Sequence, residues 1–225
     1  MIKNISNLGD AALYCDFGNE VNKDVNSQVI KYFNGIKKKD INGVINLTPS
    51  YNKLIISYDL RVTNFKEIKK KIENLKINKI EKVANKKLEI PVCCDASYSL
   101  DIKRLEKKLN LSRETILENF FNKDYFCYMI GFVAGMPFLG DLNHNMRTQR
   151  LETPRVKVPK GSIGLTEQFA NIYTFESPGG WNIIGNTPLN VFDGSKEKNP
   201  NLINPGDLIT FKEITLEEYK NYNEQ

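Results

Sequence analysis

Arg150 and Arg155 flank a Thr153-Pro154 turn, and two guanidinium groups so placed can each grip a carboxylate or phosphate through parallel N–H donors. Each also suits a surface charge or an internal ion pair. Downstream, Gly161-Ser162-Ile163-Gly164 leads through Gln168 to Ser177-Pro178-Gly179-Gly180-Trp181. Glycines after a proline let backbone N–H groups approach a ligand without Cβ obstruction and form an anion-binding concavity, with Trp181 as a wall. The same residues also suit a hairpin turn carrying a core tryptophan. Upstream, the run GFVAGMPFLG, from Gly131 to Gly140, sets glycines and a proline among large apolar residues. It fits a tight loop lining a pocket or a barrel corner.

Other chemistries lack their parts. No GxxxxGK[ST] and no GxGxxG after a strand is present, so a nucleotide site on this chain alone is not expected. His144 is the single histidine and no cysteine pair has ligand spacing, which argues against zinc and against a triad hydrolase. His144, between two asparagines, reads as a loop residue.

Lys+Arg 32 against Asp+Glu 27 gives a net charge of +5 without a basic block, so neither nucleic acid nor membrane is an expected partner. Lys37-Lys38-Lys39 and Lys69-Lys70-Lys71 fall on segments with helical spacing and read as solvated faces. Cys15, Cys93, Cys94 and Cys127 form no CxxC, which suits a reducing compartment. The sequence shows no apolar stretch of signal-peptide or membrane-spanning length, and cytoplasm is the expected location.

The elements that must position these residues fall into two halves. Leu13, Cys15 and Phe17 alternate with polar positions, predicting a strand ending near Gly18. Val25, Val29, Phe33 and Ile36 form one stripe of a helix. Two strands follow, 43–47 and 53–58. A second helix shows Phe65, Ile68, Ile72 and Leu75, with Asn64 as its cap and Glu67 three residues on. A short strand over 79–83 completes the order of a ferredoxin-like split βαβ domain, ending near Lys86. The second domain is expected over 87–225. It opens with an extended connection, 87–92, and two short helices, one striped by Ile102, Leu105 and Leu109, the other capped by Ser112. Beyond Tyr125, apolar runs of four or five residues between Gly and Pro turns predict a β-barrel or sandwich with strands at 125–130, 162–165, 171–173, 181–185 and 208–211. The fold class is α+β.

Four motifs then stand in order: GFVAGMPFLG, PRVKVPKGSIG, ESPGGWNIIGNTP and NPGDLITF. Together they resemble the family that contains the B-type component of 5-oxoprolinase, the first component of allophanate hydrolase and the Kip inhibitor of a sporulation histidine kinase. Gly9-Asp10-Ala11-Ala12-Leu13, Pro49-Ser50-Tyr51 and Glu89-Ile90-Pro91-Val92-Cys93 extend the resemblance over nearly the whole chain. Where that family usually has Gly-Gln-Thr-Gly, this chain has Glu167-Gln168-Phe169-Ala170, and Asn186 replaces a common arginine.

The resemblance implies that the second domain is a cyclophilin-like barrel of carboxyltransferase type, paired with a homologous barrel on a C-type subunit. With an A-type subunit the assembly would open 5-oxoproline to glutamate at the expense of ATP. The implied substrate- or phosphate-binding residues are Arg150, Arg155, Gln168, Ser177, Pro178, Gly179, Gly180, Trp181 and Thr187, with no residue singled out as catalytic base. The same resemblance leaves open a Kip-type kinase inhibitor without turnover, or a component of a urea or allophanate pathway.

Overall fold

A computed structural model describes residues 1–75 and 86–222 of the chain. It divides into two compact units, Met1–Ala84 and Asn85–Gln225.

In the first unit, β1 (Asn4–Asn7), β2 (Ala12–Asp16), β3 (Val44–Pro49) and β4 (Lys53–Tyr58) form an antiparallel sheet in the order β1-β2-β4-β3. Helix α1 (Lys23–Lys39) lies between β2 and β3 in sequence, and α2 (Phe65–Glu73) follows β4. The alternation of β2 turns Leu13 and Cys15 inward, where they meet Val29 and Ile36 of α1, Ile68 and Ile72 of α2, and Leu54 and Ile56 of β4. Asn22 caps α1 by accepting from the Val25 N–H at 2.9 Å, and Asn64 caps α2 by accepting from Glu67 N–H at 3.1 Å. Lys37, Lys38 and Lys39 occupy the last turn of α1, where cations complement the helix dipole. The expected strand over 79–83 lies outside the described residues. The edge beside β2 is occupied by β1, whose Asn-Ile-Ser-Asn sequence carries no sustained alternation.

The second unit is a closed seven-stranded barrel. Its strands are β5 (Lys87–Cys93), β6 (Asp124–Ile130), β7 (Pro137–Gly140), β9 (Ser162–Thr166), β10 (Phe169–Ile172), β12 (Asn182–Asn186) and β13 (Leu208–Ile214), in the order β10-β7-β6-β13-β5-β12-β9 and back to β10. Residues 87–92, expected as a connection, are instead a barrel strand: β5 runs parallel to β13 along its full length and pairs with β12 at its end. A parallel partner more than a hundred positions away leaves no local signal. Helices α3 (Ile102–Leu109) and α4 (Arg113–Phe121) pack on β12 and β13, and Ser112 caps α4 through Thr115 N–H. Phe120 stacks on Phe211 at 4.7 Å, and Tyr125 meets Phe211 edge-on at 5.3 Å. Helix α5 (Leu216–Tyr222) follows the last barrel strand. No helix among the described residues is long and apolar enough to cross a membrane.

Candidate functional site

Outside the barrel ladder, β8 (Arg155–Val158) and β11 (Ser177–Gly179) form a two-stranded ribbon. Gly179 lies opposite Arg155 and Ser177 opposite Val158, with a bulge between the two pairs. A Cβ built on Gly179 would lie 2.2 Å from the Tyr173 hydroxyl oxygen, so this face of the ribbon sits directly on Tyr173. Cross-strand partners and residues two apart share a face, which puts Arg155 and Ser177 on it as well. Beneath is a small apolar cluster of Met136, Val158, Tyr173 and Ile183, flanked by Val133, Phe138 and Trp181. Trp181 is half-buried and packs edge-to-face on Phe138 at 5.6 Å.

Polar groups are set into this apolar bed. Arg155 donates from Nη2 to Asp101 Oδ1 at 2.6 Å, and the other carboxylate oxygen of Asp101 accepts from Ile183 N–H at 2.7 Å. The Asp101 side chain is 4% exposed and that of Arg155 28%. Arg155 Nη1, Ser177 Oγ and Asn171 Oδ1 are buried without a hydrogen-bond partner among the described residues. Burial pushes the Tyr173 hydroxyl above its ordinary pKa, against the pull of the Trp181 backbone N–H, the Asn171 side chain and the Arg155 and Arg150 charges. Buried polar atoms normally find partners, so two orphans on the ribbon and a third on β10 mark polar capacity held in reserve. Close by, Arg104 donates to Asn182 Oδ1, and Asn182 donates to Leu165 O at 2.9 Å and Gln149 O at 3.1 Å.

Of the residues expected to form one site, the ribbon gathers Arg155, Ser177, Pro178, Gly179, Gly180 and Trp181. Arg150 is exposed, and its charge is the smallest of the influences that lower the Tyr173 hydroxyl pKa. Gln168 sits at the β9–β10 turn, where its side chain donates to Asp141 Oδ1 at 3.4 Å. That carboxylate also accepts from Tyr128 Oη at 3.0 and 3.1 Å. At about 3.3 Å per residue, the turn is roughly 15 Å along β10 from Tyr173. Thr187 lies beyond the far end of β12 from Trp181. Its hydroxyl accepts from Leu189 N–H at 3.3 Å, and its own N–H donates to Gly161 O at 2.9 Å. Asn186 beside it is engaged by Tyr219 Oη and Lys160 O, both at 2.8 Å.

The segment at 177–179 is extended strand, neither a hairpin turn nor a concave nest. Neither Gly179 nor Gly180 has a positive φ, and N–H groups of an extended strand alternate in direction rather than converge. Glycine is required at 179 by the Tyr173 contact. At 180 the nearest atom to an added Cβ is 3.6 Å away. The Gly131–Gly140 run comprises the β6–β7 connection, 131–136, and β7 itself, with Gly131 N–H donating to Met136 O at 3.1 Å. Its Phe132 is 80% exposed. His144 is exposed in a short 3-10 turn, His144–Met146. Among the described residues, no group of His, Cys, Asp or Glu is placed to hold a metal.

Sequence reasoning passed over Asp101, Asn171 and Tyr173. An acid just before a helix reads as a cap, and a tyrosine at a strand end reads as core. Nothing local in the sequence joins Asp101 to a guanidinium 54 positions away.

The class of protein is set by the closed seven-stranded barrel with its separate two-stranded ribbon. The sequence profile for the carboxyltransferase domain, subdomain C and D, matches residues 3–203, and the chain belongs to that family. It is 31% identical to the B-type component of the Bacillus subtilis 5-oxoprolinase, over 98% of this chain and 97% of that protein. The crystal structure of TTHA0988 is similar with a TM-score of 0.81 at 28% identity, over 90% of this chain and 40% of that one. The Kluyveromyces lactis urea carboxylase shares the fold, with a TM-score of 0.78 at 17% identity over 96% of this chain and 22% of that one.

Proposed function

We propose that this chain is the B-type component of an ATP-dependent 5-oxoprolinase, which acts with A-type and C-type subunits to convert 5-oxoproline to glutamate. The observation that carries this is the end-to-end match to a protein named as that component. The finer fold assignments, a ferredoxin-like first unit and a cyclophilin-like barrel paired with a homologous barrel, go with the same reading. The substrate is a carboxylic acid whose five-membered lactam is a stable amide. Arg155 and Ser177 are suited to hold an oxyanion on it, and half-buried Trp181 to cover the ring from water. When bound with the partner subunits, ATP would phosphorylate the ring carbonyl oxygen with ADP as the leaving group, and attack of water at that carbon would break the C–N bond and release phosphate. The likeness to the Kluyveromyces lactis urea carboxylase structure, at 17% identity, is one of fold alone and is not the basis of a second reading.

The test is co-expression of this chain with A-type and C-type partners, followed by measurement of ADP release with and without 5-oxoproline. The expected result is release that depends on 5-oxoproline and on this chain. A stable assembly with no such dependence removes the substrate from the reading.

A further inference from the structure

Asp101 stands at the N-cap of α3, where an aspartate ordinarily accepts a hydrogen bond from the first turn of its helix and stabilises it by about 1 kcal/mol. Its side chain makes no cap bond there. One carboxylate oxygen goes to Arg155 Nη2 and the other to Ile183 N–H. The backbone of Asp101 is fixed from both sides too, with its N–H on Ile183 O and its C=O accepting from Leu105 N–H, each at 2.9 Å. The carboxylate is therefore held at both oxygens, and among the described residues it contacts the guanidinium through Nη2 alone.

The other edge, Nη1, is buried with no partner among the described residues, as is Ser177 Oγ on the same face of the ribbon. Two buried donors without partners on one face of the ribbon, over an apolar bed, would both be satisfied by a single small oxyanion placed between them. Arg155 stays 28% exposed, which sets the guanidinium just beneath the surface rather than in the deep core.

We propose that Asp101 is a positioning residue, clamping Arg155 so that Nη1 and the Ser177 hydroxyl together receive one oxyanion, a carboxylate or phosphoryl oxygen. The ligand's identity rests on the 5-oxoprolinase reading, but the existence of the contact does not. Trp181 is the single tryptophan and lies against the same cluster, so its emission reports the site.

The experiment titrates the full chain with 5-oxoproline and, separately, with inorganic phosphate, following Trp181 fluorescence. Wild type is expected to show a saturable change with at least one probe. Ser177→Ala and Asp101→Asn are expected to weaken it roughly tenfold or more, the scale of a lost charge-assisted hydrogen bond, with the melting temperature of Ser177→Ala retained. Response to 5-oxoproline identifies the carboxylate, and response to phosphate alone identifies a phosphoryl contact and keeps the clamp while removing the lactam from it. If Asp101→Asn fails to fold, Ser177→Ala and Arg155→Gln decide the matter by themselves. Silence of wild type toward both probes, or unchanged affinity in folded variants, overturns the proposal, the latter because water alone then satisfies the two donors. Failure of the assembled enzyme to turn over 5-oxoproline would count against the function and leave this binding result standing.

Discussion

At the scale of single residues, adjacent glycines carry opposite constraints. Gly179 faces the Tyr173 hydroxyl at a distance no side chain tolerates, whereas Gly180 has ordinary room, with Pro154 Cγ at 3.6 Å. Gly179→Ala is therefore expected to lose about 1–3 kcal/mol through forced displacement of Tyr173 or the ribbon. Gly180→Ala should stay within about 0.5 kcal/mol of wild type. Denaturant midpoints of the two variants check this, and equal effects would mean that the ribbon does not rest on Tyr173. The motif Pro-Gly-Gly is visible in the sequence, but which glycine is obligatory depends on a tyrosine brought from another strand.

At the scale of elements, caps and buried thiols give two expectations. Asn64 and Ser112 each close an orphan N–H in the first turn of their helices. Replacing either by alanine should cost about 1 kcal/mol, read from the shift in urea midpoint at constant slope. Cys15 on β2 and Cys94 just after β5 are pushed by burial from 9.0 up to about 12. Their folded pKa exceeds the unfolded one, so this stability is complete below pH 9 and lost as pH rises toward 12, because the unfolded thiols ionise where the buried ones do not. Unfolding free energy measured from about pH 8 to about pH 10.5 should fall, and Cys15→Ala with Cys94→Ala should flatten part of that slope. A slope indifferent to both replacements would place the proton release elsewhere.

For the whole molecule, two units with separate apolar cores need not unfold together. Trp181 reports the barrel alone, while far-ultraviolet circular dichroism reports both units, so the two thermal transitions are expected not to coincide. Coincident curves would indicate one cooperative block. What the sequence by itself determined is whatever rests on local periodicity and capping: the stripes of α1 and α2, the caps Asn64 and Ser112, and the run of short strands after Tyr125. It also carried the motifs of the family. Only the tertiary structure decided that β5 belongs to the barrel, that Gln168 and Thr187 stand apart from the ribbon, and that Asp101 holds Arg155. Those facts depend on which distant segments the barrel closes together, and a hydrogen bond across 54 positions leaves no period for a sequence to display.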